Sequence, residues 1–252
     1  MSMLVSTISG GGNNVILIPV LILAFNFSPN VAIGTSFLAL IPGTIVSAVE
    51  FYRKRRIDIR RGLLLGLASI PGVITGSLLA SVAQDTAFKI VLALVIIGLS
   101  ILMLFRDRLV SRTMSEKATN GTLKGSAGSQ DYKVNLKIGF LILLLVGFFV
   151  GIFGQGGGLV VIPILLFLGF PILVSLGTTR LIALLVGVTA LAVRLGEAQV
   201  NMTFGLALAI GAMVGGFLGV EFSSYFRAGV LRWVVTALIA SLGVLMLLQV
   251  AF

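Results

Sequence analysis

The chain has 252 residues, of which 58% are hydrophobic and 10% charged, with a formal net charge of +10 and a mean hydropathy of +1.17. So little polar surface excludes an ordinary soluble domain. The absence of cysteine and histidine excludes disulfides, thiol chemistry, imidazole metal ligands and a histidine proton relay, so no metal or other cofactor is expected.

In chain order, the first residues lack a basic stretch, and their apolar run is interrupted by Gly10-Gly11-Gly12. No cleavable signal peptide is therefore expected. Asn13-Asn14 close this cluster, an apolar run to Pro19 follows, and Gly34-Thr35-Ser36 opens a long apolar segment. Segments long enough to cross a hydrocarbon core, which takes about 20 helical residues, lie at 29–51, 62–83, 87–105, 138–153, 171–192, 203–224 and 229–250. Strand-type alternation is missing, so the spans are expected to be helical.

The same signals recur about 143 residues further on: Gly154-Gln155-Gly156-Gly157-Gly158, an apolar run to Pro163, then Gly177-Thr178-Thr179. Gly62 matches Gly205, Gly72 matches Gly215, Gly76 matches Gly219 and Lys89 matches Arg232. The expected architecture is an all-α integral membrane protein, a polytopic helical bundle of two homologous repeats. Each repeat would carry a Gly-rich helix break or re-entrant segment. Residues 1–105 form the first repeat, 106–137 a polar basic linker and 138–252 the second. Only nine residues precede Gly10, where sixteen apolar ones precede Gly154, so the first helix of the first repeat reads as short.

Of the 18 Lys and Arg residues, six lie between Arg53 and Arg61 and seven between Arg106 and Lys137. Basic residues crowded beside membrane spans mark cytoplasmic loops, which accounts for the charge without any nucleic-acid partner. A multi-pass protein of the cytoplasmic membrane follows, with 52–61 and 106–137 inside and the lipid bilayer as its surroundings. The counterpart of 52–61, at about 193–202, holds only Arg194. Opposite charge bias at equivalent loops favours inverted repeats. A re-entrant segment at 159–169 would restore a parallel arrangement, and both topologies stay open, as does a homodimer.

The residues with chemistry cluster at the two breaks. Glycine lets a helix open and its backbone N–H groups face a ligand, and a helix N-terminus attracts anions. Close helix packing is the plainer use of Gly10, Gly11, Gly12, Gly156, Gly157 and Gly158. Asn13, Asn14 and Gln155 add uncharged donors. Thr35, Ser36, Thr178 and Thr179 either cap helices or donate to a solute. Arg180 stands inside an apolar span where its counterpart is Phe37. It either snorkels to the interface or offers its planar fork to an oxyanion. Glu50 is expected to pair at the interface with its basic neighbours, and Asp58 to cap or be solvated. The Gly72/Gly76 and Gly215/Gly219 pairs have the spacing of close helix contacts. No constellation of titratable side chains suggests an enzyme.

The pattern resembles the TauE/SafE sulfite-exporter (TSUP) family of permeases. The residues that carry the resemblance are Gly154-Gln155-Gly156-Gly157-Gly158 with Pro163, Gly34-Thr35-Ser36, Arg61-Gly62 and Pro71-Gly72 with Gly76. The first cluster departs from the family form, with Asn13 and Asn14 where the second has glycines. The resemblance implies a secondary transporter for a small anion such as sulfite, another sulfur oxyanion or an organosulfonate. It would work by alternating access around a site built from the residues named above. An anion channel and an uptake permease for another small organic solute remain as alternatives.

Overall fold

A computed structural model describes residues 13–83, 88–98, 136–154, 157–222 and 241–246. Among them there is helix and no strand. The helices are α1 (Asn13–Phe25), α2 (Pro29–Arg53), α3 (Ile59–Ser81), α4 (Phe88–Gly98), α5 (Leu136–Phe153), α6 (Gly157–Phe167), α7 (Ile172–Gly196) and α8 (Met202–Phe222). The predicted linker 106–137 and the last predicted span, 229–250, lie almost wholly outside the described residues. Among the described residues, three helices are long and apolar enough to cross a bilayer: Pro29–Arg53, Ile59–Ser81 and Val174–Gly196. Backbone groups in lipid must be satisfied within the segment, which is why apolar runs of this length fold as helices.

Local chemistry sets the boundaries. Pro29 opens α2, where the missing N–H costs nothing. Asp58 caps α3, accepting from the backbone N–H of Arg61 at 3.0 Å and pairing with the Arg61 guanidinium at 3.2 Å. Glu50 pairs with Arg53 at 3.3 Å, as expected of an interfacial carboxylate. Two non-glycine residues, Arg55 (φ 51°) and Ala198 (φ 54°), turn the chain out of α2 and α7. The turns are alike: Arg56 N–H donates to Phe51 O and Gln199 N–H to Arg194 O, both at 2.9 Å.

The long helices pack against one another. α2 lies against α8 and α7, and α3 against α7 and α5. α2 and α7 run in opposite directions. A Cβ on Gly34, near the start of α2, would overlap the carbonyl oxygen of Gln199 beyond the end of α7. A Cβ on Gly177, near the start of α7, would overlap the carbonyl oxygen of Arg56 beyond the end of α2. Hydrogen bonds join the same places. Thr35 Oγ1 accepts from the backbone N–H of Asn201 at 2.9 Å, and Thr178 Oγ1 from that of Asp58 at 3.1 Å. Each threonine hydroxyl thus satisfies a free N–H where another helix begins. Replacing either by valine keeps the shape and strands that N–H, at a cost of about 1–3 kcal/mol. We expect Thr35→Val and Thr178→Val to melt at lower temperature in detergent, with Thr35→Ser close to the unsubstituted protein.

α3 and α5 run parallel with their backbones in close approach. A Cβ on Gly72, Gly76, Gly147 or Gly151 would overlap the carbonyl oxygen of Leu144, Phe148, Ser69 or Val73 respectively. The predicted packing role of Gly72 and Gly76 therefore holds, whereas the matching Gly147/Gly151 pair on α5 was not anticipated. The outer faces of these helices carry exposed Leu64, Leu67, Leu79, Phe140, Leu141 and Phe149. An apolar surface of that extent suits lipid rather than water. Buried side chains of α1, α2, α5, α6 and α7, among them Ile18, Ile33, Leu143, Leu165 and Ile182, form one continuous core.

Candidate functional site

α5 ends at Phe153, and Gly154 follows it. Its φ of +67° is a conformation that L side chains rarely adopt, and a Cβ there would lie 3.1 Å from Ile18 Cδ1 and closer still to Ile33 Cγ2. The Asn14 amide, one residue into α1, donates to the Gly154 carbonyl. The start of α1 therefore meets the residue that follows α5, although the two lie 140 positions apart in sequence.

Beside this junction is a cavity of about 90 Å³, walled by α1, α2, α3, α5, α6 and α7. Since a water occupies about 30 Å³ in the liquid, the space suits a few waters or one small oxyanion. Its polar residues are Asn14, Thr44, Ser69, Thr179 and Arg180, set among apolar ones such as Leu143, Val146 and Val150. Three pairs of lining positions stand 143 residues apart: Phe37 with Arg180, Leu40 with Ala183 and Thr44 with Gly187. The cavity therefore sits where the antiparallel α2 and α7 cross.

The lining hydroxyls give their protons to their own helices. Thr44 donates to Leu40 O (2.9 Å), Ser69 to Gly66 O (2.6 Å) and Thr179 to Ser175 O (2.7 Å). Only their lone pairs then face the space. Arg180 is 7% exposed and lines the cavity, so its side chain is inside the bundle rather than at the interface. In an apolar span, an arginine so placed marks a solute pathway or a buried partner.

Of the predicted site residues, Asn14, Gly158, Thr179 and Arg180 come together around this cavity. Thr35, Ser36 and Thr178 are buried away from it. The two threonines serve the helix junctions, and Ser36 donates to Ile33 O at 2.7 Å. Asn13 and Gly157 open α1 and α6. Gly10, Gly11, Gly12, Gln155 and Gly156 lie outside the described residues. Sequence reasoning missed Thr44 and Ser69, which sit alone in apolar runs with only the residue type as a signal. It also placed Arg194 in a loop. α7 runs on to Gly196, so Arg194 belongs to the helix, and it is completely buried. Among the described residues, no group of His, Cys, Asp or Glu is arranged to hold a metal.

Fold and cavity together define a multi-pass helical membrane protein with a guanidinium beside a partly open cavity. The chain belongs to the sulfite exporter TauE/SafE family, whose family model matches residues 1–246. It is 29% identical over 225 residues to the "Probable membrane transporter protein YunE" of Bacillus subtilis (strain 168), covering 85% of this chain and 82% of that one. It is 24% identical over 221 residues to a "Probable membrane transporter protein" of Haemophilus influenzae, covering 86% and 79%. A Sinorhizobium relative, "Probable membrane transporter protein ORF9", is 24% identical over 232 residues, covering 90% and 81%. These names specify transport and no substrate. The chain has no significant match among solved structures.

Proposed function

We propose that this member of the family carries a small anion, a sulfur oxyanion or organosulfonate, by alternating access between two inverted repeats. The observation that carries the proposal is the cavity with Arg180 on its wall and equivalent positions of the two halves among its lining residues. An anion leaving water needs replacement donors, and a guanidinium supplies two parallel charge-assisted hydrogen bonds to an oxyanion. Phe37, at the position equivalent to Arg180, faces the same space with a ring. A solute with one oxyanion end and a short apolar body fits that pairing.

The inverted relation of residues 1–105 to 138–252 is supported by the antiparallel run of α2 and α7, the reciprocal threonine bonds and the matched turns at Arg55 and Ala198. Rocking one repeat against the other would expose a site at their crossing alternately to each face. With the basic loops inside, an inside-negative potential favours anion export by about 2.3 kcal/mol per charge per 100 mV.

A binding test uses detergent-purified protein and thermal melting against sulfite, sulfate, thiosulfate, sulfoacetate, taurine, acetate and chloride. A ligand that binds only the folded state at about 100 times its Kd adds about 2.7 kcal/mol of stability. We expect one sulfur oxyanion or sulfonate to raise the melting temperature and chloride to leave it unchanged. A flat response across the panel contradicts a sulfur-anion site.

A further inference from the structure

Besides Arg180, α7 carries a second buried arginine in its last turn, at the opposite end from the basic connection. Arg194 is 0% exposed. Nη1 donates to the Asn30 carbonyl (3.3 Å), to Asn30 Oδ1 (3.0 Å) and to Gln199 Oε1 (3.0 Å). Nη2 donates to the carbonyls of Gly151 (3.1 Å) and Ile152 (3.4 Å) in the last turn of α5. Asn30 in turn donates Nδ2 to Ala80 O at the end of α3, at 2.9 Å. One guanidinium therefore ties together the ends of α3, α5 and α7 and the start of α2.

Every one of these partners is a neutral oxygen, Arg194 Nε has none, and no carboxylate pairs with this arginine among the described residues. A permanent tie would not need a charge here, because buried ionic groups can often be exchanged for well-packed apolar ones without loss of stability. The position 143 residues earlier, on the face of the basic loop, is Phe51, packed with Ile57. No guanidinium therefore stands at the equivalent position on the other face. One turn inward from Asn30, Ile33 is completely buried and lies against Gly154, which lines the cavity. Ile33 thus stands between Asn30, which Arg194 holds, and the residue on the cavity wall.

We propose that Arg194 is the latch that closes the cavity on the face opposite the basic connection, and that transport releases it. This role rests on the carrier reading above. In the closed arrangement the cost of burying the charge is partly offset by the carbonyl cage, and in the open one by water or the departing anion. A change in the latch shifts the balance between two conformations.

The chain contains no cysteine, so single cysteines report accessibility without background. The probe is a membrane-impermeant maleimide, applied to each face in turn without substrate. Ile33→Cys reports the region behind the latch. Leu168→Cys, buried just beyond the end of α6, reports general loosening. Adding Arg194→Met should speed labelling at position 33 by at least about tenfold, from the face that carries the latch, and leave position 168 unchanged. Faster labelling at both positions makes Arg194 a structural brace and overturns the proposal. So does an unchanged rate at position 33, or a faster rate only from the other face. Should Arg194→Met fail to accumulate, Gln199→Ala removes one acceptor of the cage, and the same outcomes apply. Because no anion is present, failure of the sulfur-anion reading leaves this result intact, and failure of the latch leaves anion binding to be judged by melting.

Discussion

Arg180→Ala should abolish anion-dependent stabilisation and transport while leaving the protein inserted and folded. Truncating one member of a buried, hydrogen-bonded charge pair costs about 2–5 kcal/mol, which weakens binding by about 30-fold to several thousand-fold. Insertion works in the opposite direction, because an arginine at the centre of an apolar helix costs about 2.5–3.5 kcal/mol to place in the membrane. The alanine variant therefore loses affinity without losing its place in the bilayer. Arg180→Lys keeps the charge but not the planar fork, so its affinity should fall between the two. Titration of anion-induced melting shifts in the three proteins checks the order. Unchanged affinity in Arg180→Ala would remove this residue from the site.

The second large effect is on stability and follows from the contact of α3 with α5. A Cβ at Gly72 meets the Leu144 carbonyl oxygen and stands 2.8 Å from Phe148 N, and both obstacles are backbone. No rotamer change can relieve such overlap, so the helices must separate along the approach that Gly76, Gly147 and Gly151 also require. Overpacking typically costs about 1–3 kcal/mol and occasionally more. Gly72→Ala should lie at the upper end and Gly72→Leu beyond it. Gly211 in α8 is the control, since nothing lies within 4 Å of an added Cβ there. Removing a glycine from a helix is worth about 1 kcal/mol, so Gly211→Ala should be neutral or mildly stabilising. Melting in detergent should give opposite signs at the two positions, and equal effects would contradict the packing argument.

The helices were legible because the bilayer imposes both length and apolarity. The predicted spans 29–51, 62–83 and 138–153 fall within a few residues of α2, α3 and α5. The error at the end of α7 has a physical cause. Charge is normally read as the end of a span, but Arg194 is solvated by carbonyls and amides from three other segments. Those partners lie up to 164 residues away in the chain, beyond the reach of local pattern. Thr35 and Thr178 show the same limit. Their residue type suggested capping or a ligand, while their partners, the N–H groups of Asn201 and Asp58, are 166 and 120 residues away. Gly147 and Gly151 were legible in principle, with the same four-residue spacing as Gly72 and Gly76, but the apolar run around them hid the signal. The cavity itself depends on where α2 and α7 cross, which their separate sequences do not encode. Arg180 was visible early because a cation in an apolar span has few other uses.

The most direct test of anion carriage by alternating access is counterflow in proteoliposomes. Purified protein is reconstituted with unlabelled sulfite or sulfoacetate inside, and labelled solute is supplied outside at low concentration with the membrane potential clamped at zero. A carrier accumulates the label transiently above its outside concentration, saturates with substrate, and loses both behaviours in Arg180→Ala. Label that only equilibrates, with a rate that rises linearly with concentration, would mean a pore and contradict alternating access, and no uptake of any sulfur anion would contradict the substrate class.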